Sequence, residues 1–263
     1  MQNIIGKADI LFITLDTLRF DVATSAMAQG LTPNLQRMLP QGWEKRHSPG
    51  SFTYAAHHAF FAGFLPTPAS PGPHPRLFAA GFPGSETTTE DTFVFDAPDI
   101  VTALAERGYR TICVGGVGFF NQQSPLGSVL PGLFQESHWS EQLGVTCRDS
   151  TREQVNVAIN TLENPGQQRV FLFLNVSALH QPNWMYLEGA TTDSVQTQAA
   201  ALAYVDSELP RLFAAMQRRS DVFCIICSDH GTAYGEDGYI GHRLAHPVVW
   251  EVPYADFLLS HCP

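Results

Sequence analysis

The sequence predicts an α/β fold with a mostly parallel central sheet, and three observations support this prediction. Short apolar runs bounded by polar turns, such as Val222–Cys227, alternate along the chain with longer segments of helical spacing. That alternation is typical of strands joined by crossover helices. Hydrophobic residues make up 44% of the 263 residues and charged residues only 15%, a composition that buries a large core. Because no internal repeat or linker interrupts the chain, we expect one domain over residues 1–263.

Apolar runs and helix-end signals predict the individual elements. Pro33 suits the first turn of a helix, and Asp99 suits the cap of another. Pro210 should interrupt the long helical segment Ser194–Arg218, since proline lacks a backbone N–H. Residues 65–98 are rich in proline and glycine, which predicts a long loop. The expected strands are Ile10–Leu15, Arg110–Val114, Arg169–Val176, Val222–Cys227 and Tyr254–Leu259, and the other expected helices are Thr32–Leu39, Thr53–Phe64, Asp99–Arg107 and Thr151–Leu162.

The charge of the chain narrows the classes of partner. A net charge of −10 argues against nucleic acid or an anionic membrane surface, because both favour a basic face. An anionic small molecule stays compatible with this charge, since a bound cation reverses the local field. The 18 phenylalanines and the low charge leave a second copy of the chain or another protein open as a partner.

The ends of the chain and its cysteines bear on the cellular compartment. The N-terminal segment has no positively charged region leading into a long apolar core, so we expect no signal peptide. No window holds the roughly 20 apolar residues of a membrane helix, so we expect no membrane insertion. The five cysteines are odd in number, and Cys224 and Cys227 lie within one predicted strand rather than in a redox loop. We therefore expect a reduced, cytoplasmic protein.

Polar side chains follow the predicted strands at one edge of the sheet. Asp16 follows the first strand, His180 the Arg169–Val176 strand, and Asp229 and His230 the Val222–Cys227 strand. In a parallel sheet these ends lie side by side, where ligands usually bind. Thr53 stands at a predicted helix start, where backbone N–H groups and the helix dipole favour anions. Two carboxylates and an imidazole predict a divalent metal beside the Thr53 hydroxyl. Such a metal would activate this hydroxyl, which is otherwise a poor nucleophile.

The order and spacing of these motifs resemble the alkaline-phosphatase superfamily, and its sulfatase-like branch in particular. The resemblance covers nearly the whole chain and includes a first strand ending in Asp, a nucleophile helix, a substrate histidine and a last metal segment. The corresponding segments are Leu15-Asp16-Thr17-Leu18-Arg19, Thr53 to Gly63 with Gly63-Phe64-Leu65-Pro66, Leu179-His180-Gln181-Pro182, Ser228-Asp229-His230-Gly231 and Gly241-His242.

The resemblance implies a three-layer α/β/α sandwich of minimal size and a set of site residues. The implied metal ligands are Asp16, Thr53, Asp229, His230 and His242, holding one or two ions. The implied catalytic groups are Thr53 as nucleophile and His180, which would also bind substrate. His57, one helical turn after Thr53, would either act in catalysis or pack beneath the site. His246 would contact substrate or support the residues that do.

The sequence departs from the sulfatase pattern at three places. No cysteine stands near Thr53, which excludes the formylglycine nucleophile. Gly115–Gly118 lacks the sulfate-binding lysine, and its glycines do not form a P-loop or a dinucleotide fingerprint. Thr17 replaces a second aspartate after Asp16. The Asp229–His230 pair favours zinc or manganese over calcium, since imidazole suits the softer metals.

These features predict a metal-dependent hydrolase or transferase that acts on a phosphate monoester or diester. A covalent phospho-threonine at Thr53 would form and then pass to water or an acceptor alcohol. One alternative is a sulfuryl-ester hydrolase that uses Thr53. Another is a non-catalytic partner subunit that keeps the fold, and a phosphomutase is a third.

Overall fold

The computed structural model describes residues 4–63, 78–80, 93–95, 99–163 and 168–262. Its helices are α1 (Phe20–Ala28), α2 (Pro33–Met38), α3 (Thr53–Ala62), α4 (Ile100–Glu106), α5 (Pro125–Val129), α6 (Ser150–Leu162), α7 (Val195–Gln217) and α8 (Pro247–Trp250). Its strands are β1 (Asp9–Leu15), β2 (Glu44–His47), β3 (Phe78–Ala80), β4 (Phe93–Phe95), β5 (Arg110–Val114), β6 (Glu136–His138), β7 (Val170–Val176), β8 (Val222–Cys227), β9 (Ala233–Tyr234), β10 (Ile240–Gly241) and β11 (Glu251–Leu259).

In the part of the chain that the structure describes, seven strands form the central sheet in the order β2-β11-β8-β1-β7-β5-β6. Strands β8, β1, β7, β5 and β6 run parallel, whereas β11 is antiparallel to both β8 and β2. The register sets Thr14 of β1 opposite Asn175 of β7 on one side and Cys227 of β8 on the other. The residues that follow β1, β7 and β8 therefore meet at one edge of the sheet, as the sequence predicted.

Two apolar layers cover the two faces of the sheet. On one face, α1, α6 and α7 pack a mainly aliphatic core against inward residues such as Leu11, Leu172 and Cys224. On the other face, an aromatic core surrounds Phe173 and includes Phe61 of α3. The fold is thus the predicted α/β sandwich around a mostly parallel sheet. Many of the phenylalanines pack in the aromatic core rather than on the surface. The protein partner that their number left open therefore stays a prediction.

The prediction that α7 breaks near Pro210 is wrong. The helix runs without interruption from Val195 to Gln217 with Pro210 inside it. Proline at this position cannot donate to the carbonyl of Asp206 one turn earlier. The side-chain amide of Asn34 donates to that carbonyl at 3.1 Å instead, and the Asp206 carboxylate accepts the backbone N–H of Leu35. The start of α2 thus satisfies the group that proline leaves unpaired, and burial of Leu209 and Leu212 stabilises the rest of the helix.

The sequence did not predict α1, α5, α8, β2, β6, β9 or β10, and three of these elements show why. Helix α1 lacks a strong cap signal, and its Arg19 N-cap makes no side-chain cap hydrogen bond. Strand β2 has the sequence Glu-Lys-Arg-His and is exposed at all four residues, so it has no apolar alternation. It forms the edge of the sheet, where charged side chains are common. Strand β6 is only three residues long.

The predicted loop at 65–98 falls largely outside the described residues. Inside it the structure describes β3 and β4, which pair in parallel and correct the loop prediction at those positions. The Gly63-Phe64-Leu65-Pro66 motif leaves the described residues after Gly63, which ends α3 in the left-handed conformation at φ 73°. No helix within the described ranges is both long and apolar enough to cross a membrane.

Candidate active site

Asp16 follows β1 and is held in place by the neighbouring strand and loop. Its backbone N–H donates to Val176 O at 3.2 Å, and its Oδ2 accepts the side-chain amide of Asn175 at 3.0 Å. The next residue, Thr17, has a left-handed backbone at φ 64°, which is uncommon for a residue with a side chain. That turn directs the Thr17 N–H towards Asp229 Oδ1 at 3.2 Å. The chain after β1 is therefore shaped around two carboxylates.

Asp229 and His230 follow β8 and complete a buried cluster with Asp16. One side-chain ligand atom from each of the three residues lies within 4.8 Å of the others, and all three residues are fully buried. The His230 Nδ1–H donates to Gly231 O at 2.8 Å, which leaves Nε2 as the lone-pair nitrogen facing the carboxylates. A Cβ on Gly231 would lie 1.9 Å from Val248 O, so only glycine fits the turn that positions His230.

Thr53 is the first residue of α3 and faces this cluster. Its Oγ1 lies 3.3 Å from His230 Nε2 and 3.5 Å from Asp16 Oδ2. The residue before it, Phe52, is extended, so the hydroxyl stands at the helix N-terminus. The helix dipole and the free N–H groups of that first turn favour negative charge on or near the hydroxyl oxygen. The predicted nucleophile and three predicted metal ligands are thus brought together.

The two carboxylates carry charge that the described part of the protein leaves poorly compensated. Burial, and then the nearby negative charge of Asp229, raises the pKa of Asp16 to about 6. Burial raises the pKa of Asp229 to about 7, although backbone N–H groups from Thr17 and His230 oppose that rise. Asp16 Oδ1 and Asp229 Oδ2 are buried and accept no hydrogen bond from any described residue.

This donor set fits a divalent cation. Two carboxylates and an imidazole with a hydroxyl beside them are oxygen and nitrogen donors of the kind that zinc and manganese bind. Without a cation, it would be costly to bury the two carboxylate oxygens that accept no hydrogen bond, because nothing nearby in the described residues compensates their negative charge. A cation at this position would remove that cost and restore ordinary ionisation of both carboxyls.

His180 and His242 stand beside Thr53 in an adjoining cleft of about 400 Å³. The His242 ring centroid lies 4.6 Å from that of His230 and 5.7 Å from that of His180. His180 Nδ1–H donates to Gln181 O at 2.6 Å, so its Nε2 is the available nitrogen. Burial, and then repulsion from neighbouring positive charge, lowers the pKa of His242 to about 3. Three predicted histidines therefore share one side of the site.

His57 lies beneath the site in contact with its residues. Its Nδ1 is 2.7 Å from Thr53 O and its Nε2 is 3.1 Å from Thr14 Oγ1, so both ring nitrogens have protein partners. Phe60, Phe120 and other aromatic rings pack around it. Burial lowers its pKa to about 3. The sequence left two interpretations of His57 open, a catalytic role or packing beneath the site. This geometry matches the second, a histidine that supports Thr53 from below.

His246 is engaged in its own loop. It caps α8 by accepting the Val248 N–H on Nδ1 at 3.2 Å, and its Nε2–H donates to Asp237 Oδ2 at 3.1 Å. It does not line the cleft that holds Thr53 and His180. The structure therefore does not bring His246 to the cleft as the prediction of substrate contact requires. Its contacts are those of a residue that shapes the loop after His242.

The glycines after β5 have a packing role that the sequence alone did not reveal. A Cβ on Gly116 would lie 2.3 Å from Asn175 O and 2.8 Å from Gln154 Nε2. The backbone must approach β7 this closely so that the Val117 N–H can donate to Asn175 Oδ1 at 3.0 Å. Asn175 in turn holds Asp16. These glycines therefore support the position of the predicted metal ligand.

Arg19 and Asn175 are two further supporting residues that sequence reasoning missed. The Arg19 guanidinium is almost fully buried, and it hydrogen-bonds to Asp21 and to Glu236. It thereby ties the turn after Asp16 to the loop after His230. The sequence signal for Arg19 was its place in the motif after β1. Asn175 lies inside an apolar run, where the sequence carries no signal of a supporting role.

Comparison with solved structures identifies the fold class. The soluble domain of lipooligosaccharide phosphoethanolamine transferase A from Neisseria meningitidis has a TM-score of 0.67 at 15% identity, over 96% of this chain and 77% of that one. A protein in the alkaline phosphatase superfamily from Vibrio parahaemolyticus has a TM-score of 0.59 at 18% identity, over 97% of this chain and 61% of that one. The C-terminal periplasmic domain of EcEptC from Escherichia coli, in complex with zinc, has a TM-score of 0.61 at 13% identity, over 97% of this chain and 74% of that one.

The chain thus has the fold of the alkaline phosphatase superfamily. The Sulfatase family model matches residues 8–256, and the chain belongs to that family. No curated protein sequence matches the chain significantly. The predicted resemblance to the sulfatase-like branch is confirmed. The chain spans less than two thirds of the length of the Vibrio protein, so it is shorter than some of its structural relatives.

Proposed function

We propose that the protein is a metal-dependent phosphotransferase or phosphohydrolase that uses Thr53 as its nucleophile. Family membership supports an enzyme of phosphate or sulfate esters. One of the structural neighbours described above is named as the soluble domain of a phosphoethanolamine transferase. The observation that carries the finer proposal is the position of Thr53 Oγ1. It stands at a helix N-terminus, within 3.5 Å of both Asp16 and His230.

Asp16, Asp229, His230 and Thr53 would hold a divalent cation, with zinc or manganese as the candidates. When bound there, such an ion would supply Lewis-acid chemistry, lowering the pKa of the threonine hydroxyl and neutralising charge on the phosphate. Asn175 and Thr17 would keep the two carboxylates oriented, as hydrogen-bonded residues around metal ligands commonly do. The one or two ions predicted from the sequence stay a prediction.

Two in-line displacements would complete the reaction. In the first, a bond forms between Thr53 Oγ1 and phosphorus while the bond from phosphorus to the ester oxygen breaks. The hydroxyl proton passes to Asp16 Oδ2, the carboxylate oxygen it faces at 3.5 Å. In the second, water or an acceptor alcohol attacks phosphorus, the bond from phosphorus to Thr53 Oγ1 breaks, and Asp16 Oδ2 returns its proton to that oxygen. The configuration at phosphorus would be retained overall.

His180 and His242 would act on the oxygens of the substrate. Both rings line the cleft beside Thr53, and His180 Nε2 is free to face a ligand. As imidazolium, His180 would give a proton to the departing ester oxygen and then recover one from the attacking water or alcohol. His242 would lie against a non-bridging oxygen, where charge builds up in the transition state.

The first experiment measures metal content and turnover on the same preparations. Elemental mass spectrometry of the wild type and Asp229→Ala would be combined with hydrolysis of p-nitrophenyl phosphate, bis(p-nitrophenyl) phosphate and p-nitrophenyl sulfate. We expect bound metal that is lost in Asp229→Ala, and turnover of a phosphate ester. No metal and no turnover after reconstitution with zinc and manganese would contradict the enzyme proposal and favour the non-catalytic partner subunit.

The nucleophile is tested by trapping the covalent intermediate. After rapid acid quench, intact-mass analysis and peptide mapping should find one phosphoryl group on Thr53. Thr53→Ala should abolish both the adduct and turnover, whereas Thr53→Ser should retain a measurable adduct because it keeps a hydroxyl. Thr24→Ala on α1 serves as the control, since its hydroxyl bonds only within that helix. An adduct on another residue would overturn the proposal for Thr53.

The sulfate ester is the second candidate substrate, because the family model that matches is named Sulfatase. The absence of cysteine near Thr53 and of a lysine in Gly115–Gly118 favours phosphate instead. The substrate panel above distinguishes the two. The cytoplasmic location also stays a prediction, and one structural neighbour is a periplasmic domain.

A further inference from the structure

The cleft beside Thr53 has two chemically different walls. One wall is apolar and comes from the segments after β5 and β6, with Val117, Phe119, Leu126 and Val145. The other carries His180, His242 and the side chain of Arg243. Arg243 is the one lysine or arginine among the described residues that line this cleft. An ester with a charged phosphate and an apolar alcohol group matches both walls.

Arg243 is held at the cleft by an unusual backbone. Its φ of 68° lies in the left-handed region, which an arginine seldom adopts. The Arg243 N–H donates to Ser51 O at 2.8 Å, which fastens it two residues before the nucleophile Thr53. The guanidinium carbon lies 5.2 Å from the centroid of the Phe52 ring. A costly conformation that the surrounding structure maintains is characteristic of functional sites.

The guanidinium of Arg243 has its charge available. Among the described residues it makes no ion pair and no hydrogen bond, and its contact is the face of the Phe52 ring. Arg19 and Arg110, by contrast, are each paired with a glutamate. Stacking on an aromatic ring orients a guanidinium but leaves its N–H groups free. Those donors suit the charged oxygens of a phosphate.

We propose that Arg243 binds a non-bridging phosphate oxygen of the substrate and selects doubly charged monoesters over singly charged diesters. The inference rests on the proposed function, because it assigns the substrate class of the Thr53 site. The additional negative oxygen of a monoester faces the guanidinium, and the apolar wall takes the alcohol group. A diester has an esterified oxygen at that position, so it gains little from the same charge.

The test compares Arg243→Gln, Arg243→Lys and the control Arg211→Gln, all loaded with the same metal. Arg211 is an exposed arginine on α7, where a glutamate neighbour makes only a weak surface pair. The readouts are the Kd of inorganic phosphate by calorimetry, and kcat and KM for p-nitrophenyl phosphate and bis(p-nitrophenyl) phosphate. Metal content and Tm are measured on each variant, so a folding defect is recognised directly.

Arg243→Gln should weaken phosphate binding and raise KM for the monoester by roughly 10- to 100-fold, the usual effect of a lost charged hydrogen bond. The diester should change by less than about threefold, so the monoester preference falls. Arg243→Lys should recover part of the loss because it restores the charge without the planar fork. Equal changes for monoester and diester, or no difference from Arg211→Gln, would overturn the inference.

Failure of the proposed function gives a different pattern. If the wild type turns over no ester but binds phosphate, and Arg243→Gln weakens that binding, the catalytic proposal fails while the assignment of Arg243 as the anion-binding residue holds. If the wild type turns over the esters and Arg243→Gln behaves like Arg211→Gln, the catalytic proposal holds and the inference is wrong. Absence of phosphate binding in the metal-loaded wild type would contradict the inference directly.

Discussion

The two ends of strand β1 each hold a buried carboxylate, and the protein treats them in opposite ways. Asp9, at the start of the strand, is fully buried and accepts the Val170 N–H at 2.9 Å. Arg219 Nε lies 3.1 Å from its Oδ2, and Arg169 Nη1 lies 3.7 Å from its Oδ1. Both oxygens therefore have positively charged partners from within the chain.

Asp16, just after the end of the same strand, has no such compensation within the described chain. Its close neighbours are the neutral amide of Asn175, the imidazole of His230 and the second carboxylate Asp229. One carboxylate oxygen accepts no hydrogen bond from a described residue. The comparison teaches that the chain neutralises its charge at one edge of the sheet and leaves negative charge uncompensated at the other, where the proposed cation would bind.

The largest expected effect is on the edge of the sheet that carries Asp16 and Asp229. Asp229→Asn should remove the bound metal and reduce kcat/KM for a phosphate ester by about 1,000-fold or more, since a catalytic metal supplies several kcal/mol of transition-state stabilisation. The shape of the side chain is kept, and its Oδ1 can still accept from Thr17. Elemental mass spectrometry and steady-state kinetics measure the two effects.

The matched control is Asp221→Asn, which changes a carboxylate next to the opposite end of the same strand β8. Asp221 Oδ1 accepts the His261 N–H in an exposed position. We expect normal metal content and nearly normal turnover in this variant. Loss of metal in both variants would break the comparison between the two edges, because it would make the effect one of overall charge or folding.

The second prediction concerns Asp9 at the opposite edge of the sheet, where a substitution should reduce stability and leave metal binding unchanged. Asp9→Asn should lower the free energy of unfolding by about 4 kcal/mol, because it leaves Arg219 without its buried partner. Metal content and kcat should stay near the wild-type values below the unfolding transition. Urea unfolding followed by circular dichroism gives the stability. A variant that keeps its stability but loses its metal would show that the two carboxylates do not have separate roles.

The fold was predictable where burial leaves a pattern in the sequence. Strands β1, β5, β7 and β8 consist mostly of buried residues, so each appears as an apolar run, and their observed bounds agree with the prediction to within a residue. Edge strand β2 has exposed charged residues and pairs with β11 through backbone hydrogen bonds and exposed side-chain contacts such as that of Lys45 with Glu251. Such pairing leaves no local signal.

The site was predictable where chemistry and chain order coincide. Asp16, Thr53, Asp229 and His230 were predicted together and lie together. Asn175 was missed, because its role depends on a register with β1 that only the folded sheet defines. The path of α7 through Pro210 was missed for a similar reason, since Asn34 satisfies the unpaired carbonyl from a distant part of the chain.

The third prediction uses the raised pKa of Asp229 in the metal-free protein. Its carboxyl ionises near 3.8 when unfolded but near 7 when folded, so the unfolded state releases its proton first as pH rises. Wild-type stability should therefore fall relative to Asp229→Asn between pH 4 and pH 7, by about 4 kcal/mol once the difference levels off above pH 7.

The measurement is urea unfolding of chelator-treated wild type and Asp229→Asn across that pH range. The difference between the two variants is the relevant quantity, because other titrating residues, such as His57, affect both. Adding zinc or manganese at pH 7.5 should stabilise only the wild type, since metal binding to the native state adds to its stability. A difference that stays constant with pH would contradict the uncompensated charge assigned to this edge.

The smallest expected effect concerns the amide that orients Asp16. Asn175→Ala removes the donor to Asp16 Oδ2 and the acceptor of the Val117 N–H. We expect metal affinity to fall by roughly 10- to 100-fold, as for other supporting residues around metal ligands. Asn160→Ala, on the exposed surface of α6, is the control, and competition with a chromogenic chelator measures the Kd. An unchanged Kd would mean that Asp16 is held by its own turn and by Asp229, and that the strand register with β7 contributes only to the fold.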